Sequence, residues 1–166
     1  MRLHLFARSV AALLLASCAL AGAQDGKPAT AKSDNVRYTN PEALSTPRGY
    51  SHVVEVTRGR LVFIAGQVAL DAKGNVVGAN DFRAQANQVF ENLRTALRAV
   101  GTDFGNLVKI NTFVLDMSQL PVLREVRDKH FAGVTQRPAS TLVQVQKLAQ
   151  DQFLLEIEAV AVIPER

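Results

Sequence analysis

The stretch Phe153 to Ile163 (FLLEIEAVAVI) carries an apolar residue at every second position: Phe153, Leu155, Ile157, Ala159, Ala161 and Ile163. A period of two held that long marks a strand with one face packed on a core. The opposite face should then be wet, yet it reads Leu154, Glu156, Glu158, Val160 and Val162. Two carboxylates set among apolar residues call for a cover on that second face. A chain of 166 residues builds one core. The cover is therefore expected to be another copy of the subunit, the alternative being a half-exposed sheet face with incidental valines.

The elements before this strand alternate in period. His52 to Thr57 and Leu61 to Ala65 are β-branched and apolar runs joined by Arg58-Gly59-Arg60, which predicts a hairpin. Gly66 to Leu70 extends the second strand until Asp71 to Asn75 turns it. Phe82, Ala86, Val89, Phe90, Leu93, Leu97 and Val100 then form one stripe of a long helix, with Asn80 or Asp81 as its cap and Gly101 at its end. Leu107 to Leu115 is the next strand. A second helix is expected to start at Ser118 as N-cap, with Pro121 in its first turn, and to end at Gly133. Val122, Leu123, Val126 and Phe131 form its inner side, and Arg124, Arg127 and Lys129 read as a solvated face. Ala139 to Val145 and Phe153 to Ile163 complete the order β-β-α-β-α-β-β, an α+β sandwich with both helices on one face of a sheet.

Composition closes off several function classes. A single cysteine, Cys18, excludes an internal disulfide and a cysteine-built zinc site, and three histidines make a histidine-rich metal cluster an unlikely design. No metal ligand set is assigned. The formal charge of +4 includes Arg2 and Arg8 of an N-terminal segment. Without them 17 basic residues face 15 acidic ones, a balance of +2 that argues against nucleic acid as partner.

That segment, residues 1–23, reads as a secretory signal peptide: a charged start, the short apolar run Val10 to Ala16 and a small-residue exit. Two exits are open. Ala21-Gly22-Ala23 fits cleavage ahead of Gln24, whereas Leu15-Ala16-Ser17-Cys18 resembles a bacterial lipobox that would lipidate Cys18. Either exit implies export, to the periplasm or to a membrane-anchored form facing it. Residues 24–35 have the composition of a flexible tether, and 36–166 form the domain. No later apolar run is long enough to span a bilayer, so a membrane would be met only through that anchor.

Five stretches, in order, carry a resemblance. They are Arg48-Gly-Tyr-Ser51, Leu61-Val-Phe-Ile-Ala-Gly-Gln-Val68, Gln85-Ala-Asn-Gln-Val-Phe-Glu-Asn-Leu93, Val108-Lys-Ile-Asn-Thr-Phe-Val-Leu-Asp-Met117, and Arg137-Pro-Ala-Ser-Thr141 through Leu155-Glu-Ile-Glu-Ala-Val-Ala161. Together they resemble the reactive intermediate deaminase (Rid, or YjgF-type) family over nearly all of Val36 to Pro164. The resemblance implies a chorismate-mutase-like sandwich, homotrimers, and small-molecule clefts between adjacent subunits. It also implies hydrolysis of short-lived imines and enamines to a keto acid and ammonia without a cofactor or a metal. Such a catalyst works by positioning and charge stabilisation.

Carried over by resemblance, the pocket tyrosine falls on Tyr50, the small-Gly-Gln turn on Ala65, Gly66 and Gln67, the water-orienting glutamate on Glu156, and the final hydroxyl of the pocket strand on Thr141. The family's substrate-binding arginine falls on Ser140 and is absent. In a desolvated cleft that loss costs roughly 3–5 kcal/mol, or two to three orders of magnitude in binding a carboxylate. Arg137 lies three residues away, which on a strand is the opposite face. Ser140 and Thr141 would then line a neutral pocket suited to a ligand without a carboxylate, or to a scaffold that binds without catalysis. Each site residue also has a plainer reading. Glu156 can serve an ion pair between subunits, Glu158 a structural bond, Tyr50 the closing of the core, and Gly66 the backbone alone; His52 and His130 read as structural or surface residues. RNA cleavage, attached to some relatives, gains little from a charge of +2.

Overall fold

A computed structural model describes residues 35–165. The expected signal segment with Cys18, and the expected tether up to its last residue, lie outside the described residues. Six strands and two helices follow in the order β1 (Val36–Thr39), β2 (Val53–Val56), β3 (Arg60–Gln67), α1 (Phe82–Ala99), β4 (Leu107–Val114), α2 (Leu120–His130), β5 (Ala139–Gln144) and β6 (Leu155–Ile163). Four strands form one sheet in the order β3-β6-β4-β5. β6 runs antiparallel to both neighbours, and β4 and β5 run parallel. That parallel step is made by α2, the crossover a parallel pair requires.

One strand pairing departs from expectation. β2 and β3 do not make a hairpin: β2 pairs with β1 as a separate two-stranded ribbon (Val36 opposite Val56, Thr39 opposite Val53), and β3 pairs with β6. The reason lies at the Arg58-Gly59-Arg60 turn. Gly59 sits on the β6 end, where an added Cβ would lie 2.7 Å from both the Ile163 carbonyl and Val162 Cγ2. The turn wraps that strand end instead of reversing beside it, so β2 is carried away from β3 and packs near β4. The fold therefore has one strand and one small sheet more than the seven-element order foresaw.

Both helices cover one face of the four-stranded sheet. Asp81 caps α1 by accepting from the Ala84 N–H at 3.0 Å, and the chain leaves the helix through Gly101, at φ +77°. Six of the seven stripe residues are buried; Val100, the C-cap, is not. Opposite them, Leu155, Ile157, Ala159 and Ala161 of β6 are closed off from solvent. Gln85, fully buried on α1, is the polar exception. It donates to the carbonyls of Gln152 (2.7 Å) and Gly78 (3.2 Å) and accepts from the Leu154 N–H (2.9 Å). These bonds hold the turn that feeds β6, so the strand begins at Leu155 and leaves Phe153 buried ahead of it.

The start of α2 also differs from the sequence reading. Ser118 is not its N-cap. Asp116 takes the Ser118 N–H (2.8 Å) and hydroxyl (2.6 Å), which holds Met117–Gln119 as a 3-10 turn, and the α-helix begins one residue later than expected, at Leu120 with Gln119 as its N-cap. It ends at His130, before Gly133. Among the described residues no helix is long and apolar enough to cross a membrane.

Candidate functional site

Alternation along β6 sends Glu156 and Glu158 to the face away from the helices. A bulge in the β3–β6 register, where pairing jumps from Ile64 to Gln67, re-aims the backbone beside them. It brings Gly66 so close to Glu156 that a Cβ there would overlap the carboxylate Oε1. Glycine is required for that approach. The next residue, Gln67, folds back and donates from Nε2 to the Ala65 carbonyl at 2.9 Å. Gly66, Gln67 and Glu156 are thus brought together.

The two glutamates of β6 are not equivalent. Glu158 accepts from Asn111 Nδ2 at 2.7 Å, which ties β6 to β4. Glu156 makes no hydrogen bond or ion pair among the described residues, and its Oε1 lies against the bare backbone of Gly66. Beside Glu158, on the same face, lies a cavity of about 370 Å³ lined by Phe63, Ala65, Lys109, Asn111, Glu158 and Val160, and Glu156 is not part of its lining. Phe63 is 78% exposed and Leu61 50%.

The residues of β5 divide between the two faces. Thr141 is register-matched to Asn111 on the open face, and its hydroxyl accepts from Lys109 Nζ at 2.6 Å. Ser140 is matched to the buried Ile110 and alternates with Leu142, which packs on the core, so it faces the helix layer. The two hydroxyls do not line one pocket. Nor does a single chain join Ser140 to Glu156. Ile110 lies between Ser140 and Ala159, whereas Glu156 is opposite Phe113. The offset is two strands across and three residues along, each roughly 10 Å.

Tyr50 belongs to the Ser140 end. The Ser51 N–H donates to the Pro138 carbonyl at 3.1 Å, which pins the loop carrying Tyr50 to the start of β5. The half-buried Tyr50 ring meets the His52 ring edge-on at 5.2 Å, and His52 Nε2 lies 2.8 Å from the Ser45 carbonyl. Arg137 is committed elsewhere: its guanidinium stands 5.1 Å over the Phe131 ring and donates to the Phe131 carbonyl at 3.2 Å.

Arg127 is a residue that sequence reasoning missed, since helical spacing put it on a solvated face. Its side chain is only 18% exposed. The guanidinium lies flat on Gly49, the residue before Tyr50, where a Cβ would collide with Nη2 and lie 2.9 Å from Cζ and Nη1. Gly49 at φ +84° has the conformation and the bareness this needs. The Arg48-Gly-Tyr-Ser51 run was the available signal, because a glycine before a pocket residue marks close approach.

His130 at the end of α2 stacks on Phe90 at 5.2 Å and is 8% exposed at the side chain. Burial pushes its imidazole below the ordinary value; Glu91 opposes that shift and Arg94 adds to it. Arg94 Nη2 lies 3.1 Å and Glu91 Oε1 3.5 Å from His130 Nδ1, so a cation and a carboxylate meet the same ring nitrogen. Among the described residues no group of three or more His, Cys, Asp or Glu is placed to hold a metal ion.

Comparison with known proteins agrees with this architecture. Protein DfrA of Myxococcus xanthus is 36% identical, over 68% of this chain and 84% of its own. The 2-iminobutanoate/2-iminopropanoate deaminase of Mus musculus is 34% identical, over 68% of this chain and 80% of its own. The crystal structure of YyfB from Yersinia pestis, a protein of unknown function in the conserved Rid family, superimposes with a TM-score of 0.72 at 36% identity, covering 78% of this chain and 99% of that one. A family model described as endoribonuclease L-PSP matches residues 40–163. The chain belongs to that family, whose members include Rid and RutC proteins and named imine deaminases.

Proposed function

We propose that this protein hydrolyses a reactive imine or its enamine tautomer in a cleft formed between copies of the chain, with Glu156 as the residue that orients water. The observation that carries the reading is the Gly66–Glu156 approach. It sets an unpartnered carboxylate against bare backbone on an open sheet face. Relatives at 29–34% identity named as 2-iminobutanoate/2-iminopropanoate deaminases supply the substrate class.

In this mechanism Glu156 accepts a proton from a water molecule as its oxygen adds to the C=N carbon. The nitrogen is protonated, the tetrahedral carbinolamine collapses, and the C–N bond breaks to release ammonia and leave a carbonyl. Water supplies the oxygen and the protons, so the step balances without an oxidant or reductant. Backbone N–H groups near Gly66 and Gln67 hold the reacting end, and Tyr50 shapes the wall. In one chain Glu156 and Ser140 lie on opposite faces. The cleft is therefore assembled from the Gly66–Glu156 side of one copy and the Tyr50–Ser140 side of the next, in a homotrimer. The domain acts outside the cytoplasm, freed by signal cleavage or tethered through a lipid on Cys18.

A second reading rests on Ser140. With no arginine on β5, the site serves an uncharged imine, or the trimer binds a small molecule without turning it over. One assay separates these. Imine is generated in situ by an amino-acid oxidase, and its loss is followed with wild type, Glu156→Gln and Ser140→Arg. Wild-type activity that falls about 100-fold or more in Glu156→Gln supports the enzyme. Silence in wild type with activity in Ser140→Arg points to a different ligand on an intact scaffold. Silence in all three rejects the deaminase reading.

A further inference from the structure

The chain keeps a cation at the Ser140 end of the site by another route. We propose that Arg127 of α2 is the specificity-determining residue that binds the substrate carboxylate, replacing the arginine that β5 lacks. This rests on the deaminase reading for the reaction it serves, though not for the binding it predicts.

The placement follows from two contacts joined by short steps along the chain. Arg127 lies flat on Gly49. Gly49 is one residue from Tyr50 and two from Ser51, whose N–H holds Pro138 at 3.1 Å. Pro138 is two residues before Ser140, so each of these two-residue steps spans roughly 7 Å. Ser140 faces the helix layer, the side from which α2 projects Arg127.

The guanidinium is also only half used. Nε and Nη2 donate to one oxygen of Asp128, at 3.1 and 2.9 Å, and Asp128 is 56% exposed. Nη1 makes no hydrogen bond among the described residues. A guanidinium that is mostly buried, with one donor edge open and its only partner an exposed neighbour, is poised to take a carboxylate. Arg137 offers no competing site, because Phe131 holds both its ring-facing plane and one of its donors.

The test uses two imines and one inert probe. Rates are measured on the imine of a 2-oxo acid and on an imine with no carboxylate, for wild type, Arg127→Ala, Arg127→Lys and Arg127→Ala/Ser140→Arg. Calorimetric binding of 2-oxobutanoate is measured alongside. Arg127→Ala should lose about 10- to 100-fold in kcat/KM on the acid imine, chiefly through KM, and stay within about twofold on the neutral one. Lysine should restore part of the loss, and Ser140→Arg most of it. Binding of 2-oxobutanoate should weaken in parallel. Equal losses on both imines, or a loss that lysine and Ser140→Arg leave untouched, would assign Arg127 to loop packing and overturn the proposal. If wild type turns over neither imine, the deaminase reading fails and the calorimetry decides alone. Binding lost in Arg127→Ala upholds the residue's role, and binding absent in wild type or unchanged in the variant removes it.

Discussion

The two faces of the four-stranded sheet are built from the same strands and finished to different standards. Toward the helices, Leu155, Ile157, Ala159 and Ala161 meet the α1 stripe with almost no exposure. Away from the helices, Leu61 and Phe63 stand in solvent, and the polar residues among them pair only with one another, Lys109 with Thr141 and Asn111 with Glu158. Only at the strand ends is this second face closed by the chain itself, where the Gly59 turn covers Val162. One face is a core that stability demands. The other keeps apolar area and an unpartnered Glu156 at the surface, a cost that folding alone does not explain.

The contrast can be broken from either side. The largest effect belongs to the covered face. Ile157→Ala removes a fully buried side chain and should cost about 2–5 kcal/mol in denaturant unfolding, whereas Leu61→Ala should cost less than about 1 kcal/mol. Equal costs would mean that the open face is packed as tightly as the core. An intermediate effect is expected on assembly. If the proposed trimer meets on this face, Phe63→Glu should leave the circular dichroism of the fold unchanged and reduce the light-scattering mass from three chains to one. A trimer that survives this charge would place the meeting of copies elsewhere. The smallest effect concerns His130. Its folded pKa lies below the unfolded one, so the unfolded chain binds the proton more readily. The stabilisation is complete above about pH 6.5 and declines as pH falls through the folded value. Thermal melts at pH 8 and pH 5 should show a larger drop for wild type than for His130→Gln.

The covered face was legible in the sequence because local rules decide it. The alternation of β6 and the seven-residue stripe of α1 each state which side is buried, and Asp81 and Gly101 bound the helix with standard cap chemistry. What was not legible depends on partners far apart in the chain. β2 had two possible neighbours, and the choice rests on Gly59 meeting Val162 and Ile163, about a hundred residues later. Ser118 was read as the cap of α2, and the neighbouring Asp116 displaced it by holding two groups of Ser118 at once in a separate 3-10 turn. At the candidate site the sequence pointed to Gly66 and Glu156 separately, and the bulge that joins them has no mark in composition. Arg127 was hidden for the opposite reason: helical spacing assigned it to water, and a loop some eighty residues earlier folds over it.

The position of β6 has a consequence for how the chain becomes a protein. β6 follows every other element in sequence, yet it lies in the middle of the sheet and supplies the only pairing between β3 and β4. Until it is synthesised, the emerging polypeptide holds β3, β4 and β5 without the strand that joins them into one sheet, and the α1 stripe lacks the β6 residues that close its core. Local helices can flicker during translation, but closure waits for contacts of long sequence separation. The four-stranded sheet therefore closes only once β6 has been made, by pairings that reach back across most of the domain.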